Sequence, residues 1–241
     1  MVALRRYSWI VVLALLVAQW HGLARAADPA PEMPAAPSGP DTWYAAAIAR
    51  SDTTVLMTHY WSKGSRLRAE TVMSGRRLIT IVDDSTYYII DPTTAEAIAI
   101  ERSPRSIAGD SRRQRPFADE LGVLLRGGGE QVGEEEREGQ KLDHYQRTDD
   151  AGRIQVWVAG KFDLPVHVER YVRARSHREQ IDYTNWRRDL PIDDSFFEPP
   201  SGVEIERVGY EEYVRRSRSE RLGPAPPFHA GLLHGEPEAT N

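Results

Sequence analysis

Cysteine is absent from all 241 residues. That excludes a disulfide framework, a thiolate metal site, a cysteine nucleophile and a diacylated lipoprotein anchor. Paired histidines are missing too. His21, His59, His144, His167, His177, His229 and His234 never fall at His-x-x-x-His or His-Glu-x-x-His spacing, so no metal and no cofactor is expected. There is no Gly-x-Ser-x-Gly elbow and no phosphate-binding glycine loop, and Gly127-Gly128-Gly129 runs into glutamates rather than a lysine. The aspartate pairs Asp83-Asp84, Asp149-Asp150 and Asp193-Asp194 suit turns better than acid/base work, because adjacent strand residues point opposite ways. No catalytic residue is expected, and the reading is of a non-enzymatic protein.

Long hydrophobic runs are also scarce. Trp9 to Ala18 is an unbroken run of ten apolar residues, roughly 15 Å as a helix against a bilayer core of about 30 Å. Arg5 and Arg6 precede it and Ala24-Arg25-Ala26 follows as a small-x-small cleavage site. Residues 1–26 therefore read as a cleaved signal peptide, with an uncleaved anchor as the alternative and Sec or twin-arginine export left open. Mean hydropathy of −0.53 excludes a polytopic membrane protein. Cleavage leaves 28 of the 31 basic residues against all 36 acidic ones, a net charge of −8. Such a chain is a poor general binder of nucleic acid, which needs clustered cations. A soluble periplasmic protein is expected, with membrane contact at most peripheral.

Five prolines in residues 27–41 mark a linker, and Pro224, Pro226, Pro227 and Pro237 mark 222–241 as a disordered tail. The folded domain is then 42–221. Its pattern is mostly of period two. Thr54 to Ser62, Arg66 to Met73, Arg77 to Val82, Ser85 to Ile90 and Ala95 to Glu101 are short runs separated by turn residues. Lys141 to Arg147, Arg153 to Ala159, Val166 to Ala174 and Arg178 to Trp186 repeat the rhythm. Connections this short join antiparallel neighbours. About nine strands in a meander are expected, with short helices at Asp41 to Arg50, Pro116 to Arg126 and Tyr210 to Arg221. A single curved sheet must cover its apolar face. The fold class is mainly β (α+β): a half-open antiparallel barrel plugged by two or three helices, Phe117, Leu121, Leu124 and Leu125 forming the plug.

Tyr60-Trp61-Ser62-Lys63-Gly64-Ser65-Arg66-Leu67-Arg68-Ala69-Glu70 resembles a hairpin of the superfamily of outer-membrane lipoprotein carriers. Ile79 to Pro92, Val156-Trp157-Val158 with Leu164 to Glu169, and Tyr183 to Trp186 with Ile192 to Gly202 are similar to later hairpins of a periplasmic family of unassigned function within it. The resemblance spans about 53–205. It implies a half-barrel with an apolar cavity, which holds acyl chains in the carriers and binds a regulatory protein or lipid in stress-sensor relatives. The receptor branch is itself lipidated, unlike this cysteine-free chain. Arg68 is the nearest counterpart, by hairpin position, of the carriers' lid-locking arginine.

Leu67, Ile79, Ile81, Tyr88, Ile90, Val156, Trp157, Val158, Val168, Ile181 and Tyr183 are candidates to line that cavity, or simply to fill a core. Arg68 and Glu70 share a strand face, as a latch at the cavity mouth or an exposed charge ladder. Arg102, Arg105, Arg112, Arg113 and Arg115 form a basic stretch that could touch anionic lipid or remain a solvated loop. Glu130, Glu134, Glu135, Glu136 and Glu138 could pair with it or keep an edge strand soluble. The expected partners are lipid or lipoprotein acyl chains. The alternative is an envelope protein bound by a sensor module of the same fold.

Overall fold

The computed structural model describes residues 41–236, so the expected signal peptide and all but the last residue of the linker lie outside the described residues. Six strands come first: β1 (Thr42–Ser51), β2 (Val55–Lys63), β3 (Arg66–Met73), β4 (Arg76–Asp83), β5 (Thr86–Asp91) and β6 (Glu96–Glu101). Helices α1 (Pro104–Gly109) and α2 (Glu120–Arg126) lead into β7 (Glu130–Arg137), β8 (Gln140–Asp149), β9 (Gly152–Ala159), β10 (Leu164–Val172) and β11 (His177–Arg188). Strand β12 (Glu204–Val208), α3 (Tyr210–Arg216) and α4 (Ala230–His234) follow. The twelve strands make one open sheet in the order β12-β6-β5-β4-β3-β2-β1-β11-β10-β9-β8-β7. Every pairing is antiparallel except β12 with β6. The turns obey local chemistry: between β3 and β4, Ser74 and Gly75 both take positive φ, the two-residue turn whose twist matches paired strands.

The alanine-rich segment 41–50 is a strand, not the expected helix. β1 pairs with β2 on one side and β11 on the other, so it stands mid-sheet between the two meanders. Backbone pairing on both edges outweighs alanine's helical preference, which is under about 1 kcal/mol per residue. Trp43, Ala45 and Ala47 alternate inward and are buried, and the small methyls leave room for the elements packed over them. Two other strands lie outside the nine expected runs, although an edge strand at the glutamates of 130–138 is one of the alternatives given for them. β7 is exposed along nearly its whole length and so shows no apolar alternation, and β12 has only five residues.

The sheet has two apolar faces. Leu67, Leu78, Val82, Tyr87, Ile89, Ile98, Val156, Val158, Val168 and Tyr183 form a cluster with Phe117, Leu121, Leu124, Tyr213, Leu222, Leu232 and Leu233 of the covering elements. Ile79, Ile81, Ile90 and Ala97 form a second cluster, packed by Tyr88, Val203 and Ile205. Period two separates them: with Leu78 and Val82 inward on β4, Ile79 and Ile81 must point outward.

Residues 222–236, expected as part of a disordered tail, are folded. Leu222, Ala225, Leu232 and Leu233 are buried. Gly223 makes the return possible, with φ +67° and only 2.4 Å between an ideal Cβ and Ile98 Cγ2. The prolines around it set an extended path rather than disorder. Arg102 then fixes the segment. Its side chain is fully buried; Nε donates to the Leu232 carbonyl at 2.7 Å, Nη2 to Asp110 Oδ1 at 2.7 Å and to Ser106 Oγ at 3.0 Å. Nη1 donates to Asp110 Oδ2 at 2.9 Å and to the Asp84 carbonyl.

Candidate functional site

The inner side of the half-open sheet, its hollow filled by side chains of the covering elements, is the candidate site, and α2 is its plug. Pro116 and Phe117 are buried ahead of the helix, whose start is delayed to Glu120 by the positive φ of Ala118. Phe117 lies between two rings, 4.9 Å from Tyr60 and 5.7 Å from Trp186, nearly parallel to both. Such stacks are worth about 0.5–1.5 kcal/mol beyond the area they bury. Leu121 and Leu124 are buried, whereas Leu125 is 46% exposed and takes no part in the plug.

Polar groups enter the hollow with the plug. Tyr183 Oη donates to Glu120 Oε1 at 2.9 Å. Burial drives the Glu120 carboxyl above the ordinary carboxylate range, and it drives the Tyr60 and Tyr183 phenols up as well. His229, from the C-terminal segment, stands edge-on to Tyr60 at 5.5 Å. Burial pushes its pKa down from 6.5 to about 4, so the ring is neutral near pH 7. Arg115 lies over Trp186 at 4.9 Å and Trp43 at 5.4 Å, and Nη2 donates to the Ala118 carbonyl at 3.2 Å. Glu120 Oε2, His229 Nε2, Arg115 Nε and Trp43 Nε1 are buried without a hydrogen-bond partner among the described residues. Each such atom costs about 1–3 kcal/mol. Three of the four lie on the covering elements.

The proposed lining divides between the faces. Leu67, Val156, Val158, Val168, Ile181 and Tyr183 do face the hollow. Ile79, Ile81, Tyr88 and Ile90 face outward. Trp157 is also on the outer face, with Leu142, Ala159 and Val166. There it stacks on His144 at 4.3 Å, under Arg137 at 4.1 Å, and its Nε1 donates to Glu135. Continuous apolar runs hide which residues face inward, and that is why the two sets were merged.

Arg68 and Glu70 are outward as well, so they do not guard the mouth. Arg68 Nε and Nη2 both donate to Glu70 Oε1 at 3.0 Å, and Nη1 donates to the Phe196 carbonyl at 3.1 Å. The pair fastens the 194–197 turn to the outer face. Beside it runs a groove of about 710 Å³ lined by Trp61, Pro191, Ile192, Phe196, Pro199 and Pro200.

The stretch 102–115 is not a free basic surface. Arg102 and Arg115 are buried, and Arg113 pairs with Asp110 at 3.2 Å and Glu236 at 3.3 Å. Arg105 and Arg112 stay at the surface. The expectation failed because the segment forms α1 and a helical turn, which carry Arg105 and Arg112 outward while the flanking Arg102, Arg113 and Arg115 are drawn inward. The glutamates of 130–138 lie on the edge strand β7 and its turn, Glu134 pairing with Lys141. Glu120, His229 and Trp43 escaped sequence reading. Nothing in its sequence context marks Glu120, a first-turn acid of α2, as buried, and His229 follows a proline-rich stretch.

No helix among the described residues is long and apolar enough to cross a membrane. No family model and no curated protein sequence matches the chain. Solved structures do. An uncharacterised conserved protein from Thermus thermophilus is similar at TM-score 0.51 and 10% identity, over 69% of this chain and 90% of that one. MucB in its Pseudomonas aeruginosa complex with MucA matches at TM-score 0.45 and 11% identity, over 70% and 59%. A domain from Vibrio parahaemolyticus named for outer membrane lipoprotein sorting matches at TM-score 0.33 and 10% identity, over 66% and 89%. At these identities the likeness concerns the fold alone: an open, mostly antiparallel sheet with short helices packed on it.

Proposed function

We propose that this is a periplasmic, non-enzymatic protein that binds an apolar ligand, a lipid or lipoprotein acyl chain, in the hollow of its half-barrel. The observation that carries the reading is the plug. Short covering elements close an apolar sheet face, and they trap four unpartnered polar atoms as they do so. A closure burdened in this way is weaker than one made of apolar contacts alone, and an acyl chain entering in its place gains about 0.8 kcal/mol per buried methylene. Withdrawal of α2 and residues 222–233 would expose Leu67, Val156, Val158, Val168 and Tyr183 as a continuous wall. Native mass spectrometry of protein recovered from the cell envelope tests the proposal. A stoichiometric hydrophobic passenger, displaced by a fluorescent fatty acid, supports it; a clean apo mass together with no uptake of the probe refutes it.

The outer groove favours a second reading, a protein-interaction module with a closed hollow. Aromatic and proline side chains line about 710 Å³ there, and Trp61 meets Phe196 edge-on at 5.4 Å. Capture of an envelope protein that is lost on Trp61→Ala, while the probe is still excluded, selects this reading over the first.

A further inference from the structure

A pocket of about 450 Å³ opens where the β8–β9 and β10–β11 turns meet, with Arg153, Tyr171, Arg173 and Arg178 in its wall. Tyr171 on β10 is paired with Arg153 on β9 and with Arg178 on β11. Directly paired residues share a face, so arginine side chains leave the sheet on either side of Tyr171. Arg178 lies 5.9 Å from the ring centroid. Among the described residues, neither Arg153 nor Arg178 has a carboxylate within salt-bridge distance. Arg173 reaches only Asp150 Oδ1, at 4.0 Å. The pocket's own carboxylates are engaged: Glu169 Oε1 is 3.2 Å from His167 Nε2, and Glu179 accepts from Arg170 at 2.9 Å. Like charges flanking one position repel, and the two carboxylates of the wall pair with other residues rather than with Arg153 or Arg178, although the chain as a whole is acidic.

We propose that this pocket binds a phosphate-bearing anion, held between Arg153 and Arg178 over Tyr171 with Arg173 at the rim. Planar guanidinium forks match phosphate oxygens in pairs. The volume falls within the range of small-ligand pockets and exceeds what inorganic phosphate alone would fill. A phosphodiester headgroup or a soluble phosphorylated molecule would each present the same chemistry. The site is independent of whether the hollow takes a ligand.

The test compares the purified protein with Arg153→Gln/Arg178→Gln and with a charge-matched control, Arg215→Gln/Arg218→Gln. Inorganic phosphate is titrated at constant ionic strength, read by the melting midpoint. Flotation uses vesicles of phosphatidylcholine with and without phosphatidylglycerol. At about the strength of one basic residue each on an anionic surface, removing the two arginines weakens binding about thirty-fold, and the control keeps it. Arg178→Lys retains the charge and loses the fork, so it weakens phosphate binding several-fold; it gives a reading even if the double variant fails to fold. A response to phosphate alone identifies a soluble ligand. Selective flotation with phosphatidylglycerol identifies a headgroup. No binding of either, or equal loss in variant and control, overturns the proposal.

Discussion

Phe197 is 1% exposed and lies beneath the 194–197 turn that Arg68 holds down. Phe197→Ala should lower stability by about 3–5 kcal/mol, and a thermal melt unchanged by it would contradict this packing. His229 and Glu120 should shape the acid limb of the stability curve in opposite senses. His229 is neutral in the folded chain down to about pH 4, whereas its unfolded counterpart takes a proton near 6.5. Its contribution is therefore complete above pH 6.5 and fades as pH falls from there to about 4, by about 3 kcal/mol. Glu120 holds its proton more tightly folded than unfolded, so acidification relieves its penalty. Melts between pH 4 and 7 should show a shallower acid loss for His229→Gln and a higher neutral midpoint for Glu120→Gln. The first expectation fails if the His229→Gln slope equals that of the parent protein.

Among the elements, the hairpins were the most legible. β3 spans the residues expected for it, β4 and β5 differ by one residue at each end and β6 by one at its start, because β-branched runs bounded by Gly, Asp and Pro leave few other choices. The α2 amphiphile was visible for the same reason of period. What stayed hidden was decided by contacts distant in sequence. β1 is a strand because β11 pairs with it, and the C-terminal segment is ordered because Arg102 and Ile98 receive it. Two substitutions probe that docking. Arg102→Ala leaves Asp110 with Arg113 alone and strips the donors from Ser106 and the Leu232 and Asp84 carbonyls, and it should cost about 3–5 kcal/mol. Gly223→Ala forces a side chain into the left-handed region against Ile98 and should cost about 1–3 kcal/mol. Chemical denaturation checks both, and either variant should also raise uptake of a fluorescent apolar probe by loosening the cover of the hollow. A variant that is destabilised but takes up no more probe than the parent would mean that the segment does not gate the hollow.

For the molecule as a whole, the sheet is open at both ends, with β12 along one edge and the acidic β7 along the other. Its middle is joined by β1 and β11, where Arg50 meets Asp182 across 132 residues. Contacts this far apart slow folding, and refolding on the order of milliseconds to seconds is expected from stopped-flow fluorescence of the tryptophans. Microsecond refolding would mean that the central seam is not the slow step. During synthesis, the first six strands can assemble long before their neighbour on the other side of β1 has been made. Until β11 arrives, β1 is an unsatisfied border at what will become the centre, ready to zip onto any passing strand. The seam that finally unites the two halves is thus the point at which an unfinished chain is most exposed to aggregation.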